Sequence, residues 1–177
     1  FGYFGHMWEL YTFWAFVPIL LITYQNLHSE ITFNISILSF VIISSGSISC
    51  VIGGYISQKI GVKKTAFILL LLSCICCIAA PFLFQVTNKN LFIAFLLFWG
   101  MVVIADSPLF STLVAQNAPS KDKGTALTIV NCIGFSITII SIQIVSSLFN
   151  LTNSNLVFSV LAIGPIFGLM NLRNKTI

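Results

Sequence analysis

TAFILLLLSCICCIAAPFLF, residues 65–84, is a run of twenty residues without a charge, introduced by Lys63 and Lys64. An α-helix rises 1.5 Å per residue, so about twenty apolar residues cross the roughly 30 Å core of a bilayer. The run is twice as long as a transmembrane β-strand requires and has no two-residue alternation, so it reads as a helix. Outward from it, charges keep punctuating the chain. Comparable segments extend from about Tyr3 to Thr23, Ile35 to Ile56 and Leu91 to Leu113. Residues 124–172 carry no formal charge, and the polar cluster Asn150, Thr152, Asn153, Ser154 and Asn155 divides them into a fifth and a sixth segment.

These segments predict an all-α, polytopic membrane protein in which residues 1–177 form one domain of six transmembrane helices. Composition agrees, with 58% hydrophobic and 7% charged residues, where soluble domains carry about 25% charged. No room is left for a water-exposed catalytic domain. Cys50, Cys74, Cys76, Cys77 and Cys132 all fall in apolar runs without zinc or disulfide spacing, and read as small packing residues. The chain opens at Phe1 with neither Met nor a basic flank, so it reads as a piece of a longer protein rather than as a signal peptide.

Lys59, Lys63 and Lys64 follow the second segment, Lys121 and Lys123 the fourth, and Arg173 and Lys175 the sixth. The opposite side holds His28, Glu30 and Lys89, so the positive-inside rule places both termini in the cytoplasm. The net charge of +4 reflects this topology, and no nucleic-acid partner is expected. Small residues mark close helix approaches: Ser45, Ser49 and Gly53 lie four apart in the second segment, as do Gly46, Cys50 and Gly54, and Gly164 and Gly168 repeat the pattern in the sixth. They serve either static packing or a surface that slides.

An acidic residue at the bilayer centre costs about 2.5–3.5 kcal/mol on insertion scales, so each one is a functional candidate. Glu9 in the first segment and Asp106 in the fourth qualify. His6 precedes Glu9 by one helical turn, and a His beside a carboxylate can exchange protons near neutral pH. Pro108 should loosen the helix beside Asp106 and free carbonyls for a cavity or a neighbouring helix to satisfy. Asp106 can equally be bonded to Ser107, Ser111 or another helix, Glu9 can sit at a wet interface, and His6 can rest at the headgroup level with Trp8. In the fifth segment Thr128, Asn131 and Thr138 share a face, with Gln143 further along. They line an aqueous cavity or bond between helices. Tyr11, Trp14 and Phe16 either stack on a solute or anchor the helix. No intramembrane protease pair, phosphate loop or metal ligand set is present, so neither an enzyme nor a cofactor is expected.

The stretch Gly53-Gly54-Tyr55-Ile56-Ser57-Gln58-Lys59-Ile60-Gly61-Val62-Lys63-Lys64 resembles the cytoplasmic loop of the major facilitator superfamily, roughly G-G-x-x-x-D-R-x-G-R-R-R. Gly53, Gly54, Lys59, Gly61, Lys63 and Lys64 match by type; Gln58 stands where the family has Asp, and Val62 replaces a basic residue. A degenerate copy suits the second half of the family's twelve helices, so the six segments correspond to helices 7 to 12, with the amino-terminal half missing. Residues 2–11, Asp106–Ser111, Gly124–Leu127 and Asn131–Phe135 are similar to sequences of a prokaryotic branch.

The resemblance implies a half-bundle of two three-helix inverted repeats, which rocks against the other half around a central site. It further implies a secondary active transporter of a small solute in the cytoplasmic membrane. Its first and fourth helices, which carry Glu9 and Asp106, would line the cavity. These carboxylates would carry protons or touch solute, with His6 tuning Glu9, and Asn131 and Tyr11 belong to the same pathway. The loop Asp of the family helps latch the cytoplasmic side, a contact that Gln58 does not carry over, whereas Lys59, Lys63 and Lys64 are suited to lipid phosphates or a partner carboxylate. The alternative is a non-transporting scaffold whose carboxylates are structural.

Overall fold

The computed structural model describes residues 1–152 and 154–173. Asn153 of the polar cluster and Lys175 of the basic set lie outside the described residues. Six segments are long and apolar enough to cross a membrane. They are α1 (Gly2–Leu27), α2 (Ile35–Ile60), α3 (Val62–Leu83), a broken fourth made of α4 (Lys89–Ala105) and α5 (Ser107–Asn117), α6 (Lys123–Thr152), and a sixth in which a 3-10 helix (Asn155–Ala162) continues as α7 (Ile163–Arg173). No strand occurs among the described residues.

Local chemistry sets the ends. Asn34 accepts a hydrogen bond from the Ile37 amide at 3.1 Å, and Asn88 accepts from Asn90 and Leu91, so each caps the helix that follows it. Between α2 and α3 the expected loop shrinks to Gly61, whose φ of 92° is open to glycine and strained for other residues. Its amide bonds the Ser57 carbonyl at 2.9 Å, and its own carbonyl accepts from the Thr65 hydroxyl at 2.9 Å. Lys59 therefore ends α2, while Lys63 and Lys64 begin α3. In the sixth segment Pro165 has no amide for the Leu161 carbonyl four residues back. The change from 3-10 to α-helix falls there.

The segments pair as a two-fold repeat would. The first packs on the fifth and sixth, the fourth on the second and third, and the third on the sixth. Exchanging segments 1, 2, 3 with 4, 5, 6 leaves this pairing unchanged, as two inverted three-helix units require. Small residues make the tight crossings. A Cβ on Gly5 would stand 2.3 Å from the Gly164 carbonyl oxygen, and one on Gly46 2.1 Å from Ile104 Cδ1. The two small faces expected on α2 merge into one buried face of Ser39, Ile42, Gly46, Ser49, Gly53 and Ser57. Gly54 lies off it, and a Cβ added there would meet nothing within 4 Å.

Two apolar clusters fill the interior. One gathers Phe13, Tyr24, Phe84, Phe92, Trp99 and Phe158, with the Tyr24 and Phe92 rings stacked 3.9 Å apart. The other gathers Tyr3, Met7, Ala66, Leu70, Leu109 and Phe110 at the end that carries the basic residues. Along α1, α3 and α4 the polar residues His6, Glu9, Ser73 and Asp106 fall at the seam between them. The outer faces of α2 and α6 stay exposed and apolar, for example Phe40, Val51, Tyr55, Ile133 and Ile139.

Candidate functional site

Asp106 occupies the break in the fourth segment. Pro108 cannot donate to the Ile104 carbonyl, four residues back, and that oxygen is met instead by the Asp106 amide and by the Cys50 thiol of α2, 3.5 Å away. The α2 hydroxyl of Ser49 donates to the Met101 carbonyl at 2.7 Å. The Ile104 carbonyl that Pro108 leaves free is thus met from a neighbouring helix, and Cys50 does more than fill space. The Asp106 side chain caps nothing.

His6 of α1 faces this carboxylate. Its Nδ1 lies 2.9 Å from Asp106 Oδ1, and both side chains are completely buried. No aligned hydrogen bond reaches a side-chain nitrogen of His6 or a carboxylate oxygen of Asp106 from another group among the described residues. Each is the other's polar partner. The Ser111 hydroxyl donates to the Ser107 carbonyl rather than to Asp106, so the bond considered between Ser111 and Asp106 is not formed.

Glu9, one turn beyond His6, turns to other partners. Trp99 Nε1 donates to its Oε1 at 2.7 Å, the Cys77 thiol donates to the same oxygen at 3.1 Å, and the Ser73 hydroxyl donates to Oε2. Three neutral donors from α3 and α4 hold one fully buried carboxylate of α1. A wet interfacial position for Glu9 is therefore excluded. His6 is placed against Asp106 rather than against Glu9. Cys77, read as packing alone, is a hydrogen-bond donor.

The remaining candidates divide. The Tyr3 hydroxyl donates to Asn131 Oδ1 of α6 at 2.5 Å, and the Tyr3 ring lies 6.1 Å from His6, so Asn131 joins the neighbourhood of the pair through Tyr3. Phe110 covers His6 from α5 at 5.6 Å. Tyr11 stands apart, half-buried, with its ring 5.2 Å from Trp14 and 5.4 Å from Phe135. Phe16 is buried against Phe158 and cannot stack on a solute. The expected stripe of α6 breaks up as well. Thr138 is buried and donates to the Met7 carbonyl, and Ser141 is buried against Thr12, whereas Thr128 and Gln143 are exposed. The missed residues Tyr3, Ser73, Cys77, Trp99 and Phe110 carry one partial signal, since Ser73 is the sole hydroxyl within residues 66–84.

At the basic end, Gly53 passes 3.2 Å from the Ala105 carbonyl oxygen as measured from a built Cβ, Lys59 lies 5.2 Å from the Tyr55 ring centre, and Gln58 and Lys64 are exposed. An open cleft of about 390 Å³ lies between Phe1, Tyr3, Lys63, Phe110, Asn117 and Asn171. No group of three potential metal-ligating side chains occurs among the described residues.

A family model described as Major Facilitator Superfamily matches residues 1–142. The chain belongs to the major facilitator superfamily. It is thereby an integral membrane protein of a transporter family, and its six spans make it half the size of the family's twelve-helix bundle. No curated protein and no solved structure matches it.

Proposed function

We propose that this major facilitator chain is the carboxyl-terminal half, helices 7 to 12, of a secondary active transporter that moves a small solute by alternating access coupled to protons. The observation that carries this reading is the His6–Asp106 pair at the break between α4 and α5. With one proton the pair is neutral overall, either as imidazolium and carboxylate or as imidazole and carboxylic acid. Without that proton a net negative charge sits in an apolar interior, which costs several kcal/mol. Deprotonation therefore favours a state in which the break opens to water, and this links the proton to the conformational cycle.

Glu9 suits an anchor between three helices better than a solute contact, because its oxygens already accept three bonds. The half-exposed rings of Tyr11, Trp14 and Phe135 are the better solute surface. No Lys or Arg lies deep in a span, so this half favours neutral or cationic solutes. The partners are the bilayer, the amino-terminal half and the solute, in a prokaryotic cytoplasmic membrane with both termini inside.

The test uses the intact transporter. Asp106→Asn and His6→Asn should flatten the pH profile of uptake and lower pH-driven accumulation by about tenfold or more, while solute exchange persists. If both variants keep the wild-type pH profile, the proton role is lost.

A further inference from the structure

We infer that the cleft at the basic end is the water route to the His6–Asp106 pair, and that Tyr3 and Phe110 are the gate that closes it. The inference deepens the proton reading and rests on it, although its test does not. The cleft, about 390 Å³, is open, and Lys63, Asn117 and Asn171 add polar groups to a lining that is otherwise mostly apolar. Tyr3 and Phe110 also line it. Those same two rings lie against His6, with centres 6.1 and 5.6 Å from the imidazole. Two aromatic residues that line the cleft thus lie against a His that is completely buried together with its Asp.

Each leaf of the gate is tied to an element with its own means of moving. Phe110 lies four residues beyond Asp106 on α5, and its amide bonds the Asp106 carbonyl at 2.9 Å. A bend at the break would swing its ring. Tyr3 is held closed by the bond from its hydroxyl to Asn131 on α6, so separation of α1 from α6 would release it. Gly2 permits the closed position, since a Cβ there would stand 2.8 Å from Phe110 Cε1. Among the described residues the imidazole Nε2 has no hydrogen-bond partner. It is the atom that water would meet when the gate opens.

The experiment is acylation of the intact, reconstituted transporter by diethyl pyrocarbonate, followed by peptide mass spectrometry of His6, with His28 at the opposite end as internal reference. In the wild type His6 should react much more slowly than His28. Phe110→Ala should raise the His6 rate by about tenfold, Phe110→Leu should leave it near the wild-type value, and Tyr3→Phe should raise it about threefold by releasing the Asn131 bond. The His28 rate should not change. Tyr3→Phe removes one oxygen and keeps the packing, so it remains informative should the alanine variant fail to fold. Wild-type His6 reacting as fast as His28, or no change in both Phe110→Ala and Tyr3→Phe, would overturn the gate. A positive result together with a wild-type pH profile in Asp106→Asn would keep the gate and remove the proton coupling.

Discussion

Glu9 and Asp106 look alike in the sequence, each a lone carboxylate in an apolar run, yet their surroundings differ. Glu9 accepts from Ser73, Cys77 and Trp99. Asp106 has only His6 as a polar side-chain partner among the described residues. Glu9→Leu should leave three buried donors unpaired and lower stability by about 2 kcal/mol or more, seen as a loss of melting temperature in the intact protein. Glu9→Gln keeps a carbonyl oxygen for Trp99 and Cys77 and an amide to donate to Ser73, so it should cost about 1 kcal/mol or less and leave the pH profile of uptake unchanged. A flattened profile in Glu9→Gln would make Glu9 a proton carrier after all. That both acids and His6 are candidates was readable from the cost of a carboxylate in a membrane and from the one-turn spacing of His6 and Glu9. Which pairs with which was not, because positions 6 and 9 are one turn apart and the choice lies with α3 and α4, whose side chains arrive from 64 to 100 residues away.

Helices in lipid associate by packing, so glycines with identical local sequence roles diverge in consequence. Gly164 meets the Gly5 carbonyl oxygen at 2.4 Å and Trp8 Cβ at 2.7 Å from a built Cβ, whereas Gly54 meets nothing within 4 Å. Gly164→Ala should force α1 and α7 apart and cost about 1–3 kcal/mol. Gly54→Ala should be neutral or gain up to about 1 kcal/mol from helix propensity. Thermal unfolding of the two variants checks both signs, and equal effects would refute the assigned crossings. The six spans and the break at Pro108 were readable from hydropathy and from the missing amide. The near-continuity of α2 and α3 through Gly61 was not, since the Lys-rich stretch looks like a loop and only the positive φ of one residue makes it a corner. The fifth segment misled for a related reason. Thr128 and Thr138 are close in helical phase, but α6 buries only the face of Gly134, Thr138, Ser141 and Val145, because α1 covers that part of its length.

Taken together, the pairing of the six spans obeys a two-fold exchange of their halves, and the polar seam at its centre joins the first span to the fourth. Two spans that exchange under the repeat thus share one buried His–Asp pair at the position where one of them is broken. The exposed apolar faces of α2 and α6 suit lipid, and on the proposed reading the amino-terminal half. What the family resemblance conveyed was the repeat. The placement of both carboxylates inside the half, rather than on its open face, came from the packing alone. The decisive measurement is proton movement during solute flux. Intact transporter is reconstituted with a pH-sensitive dye trapped in the lumen, and a solute identified by an uptake screen is added without an imposed pH gradient. The wild type should change the lumenal pH as the solute moves, and Asp106→Asn should equilibrate the solute with no such change. Solute movement without any pH change in the wild type, or the same change in Asp106→Asn, would contradict the account.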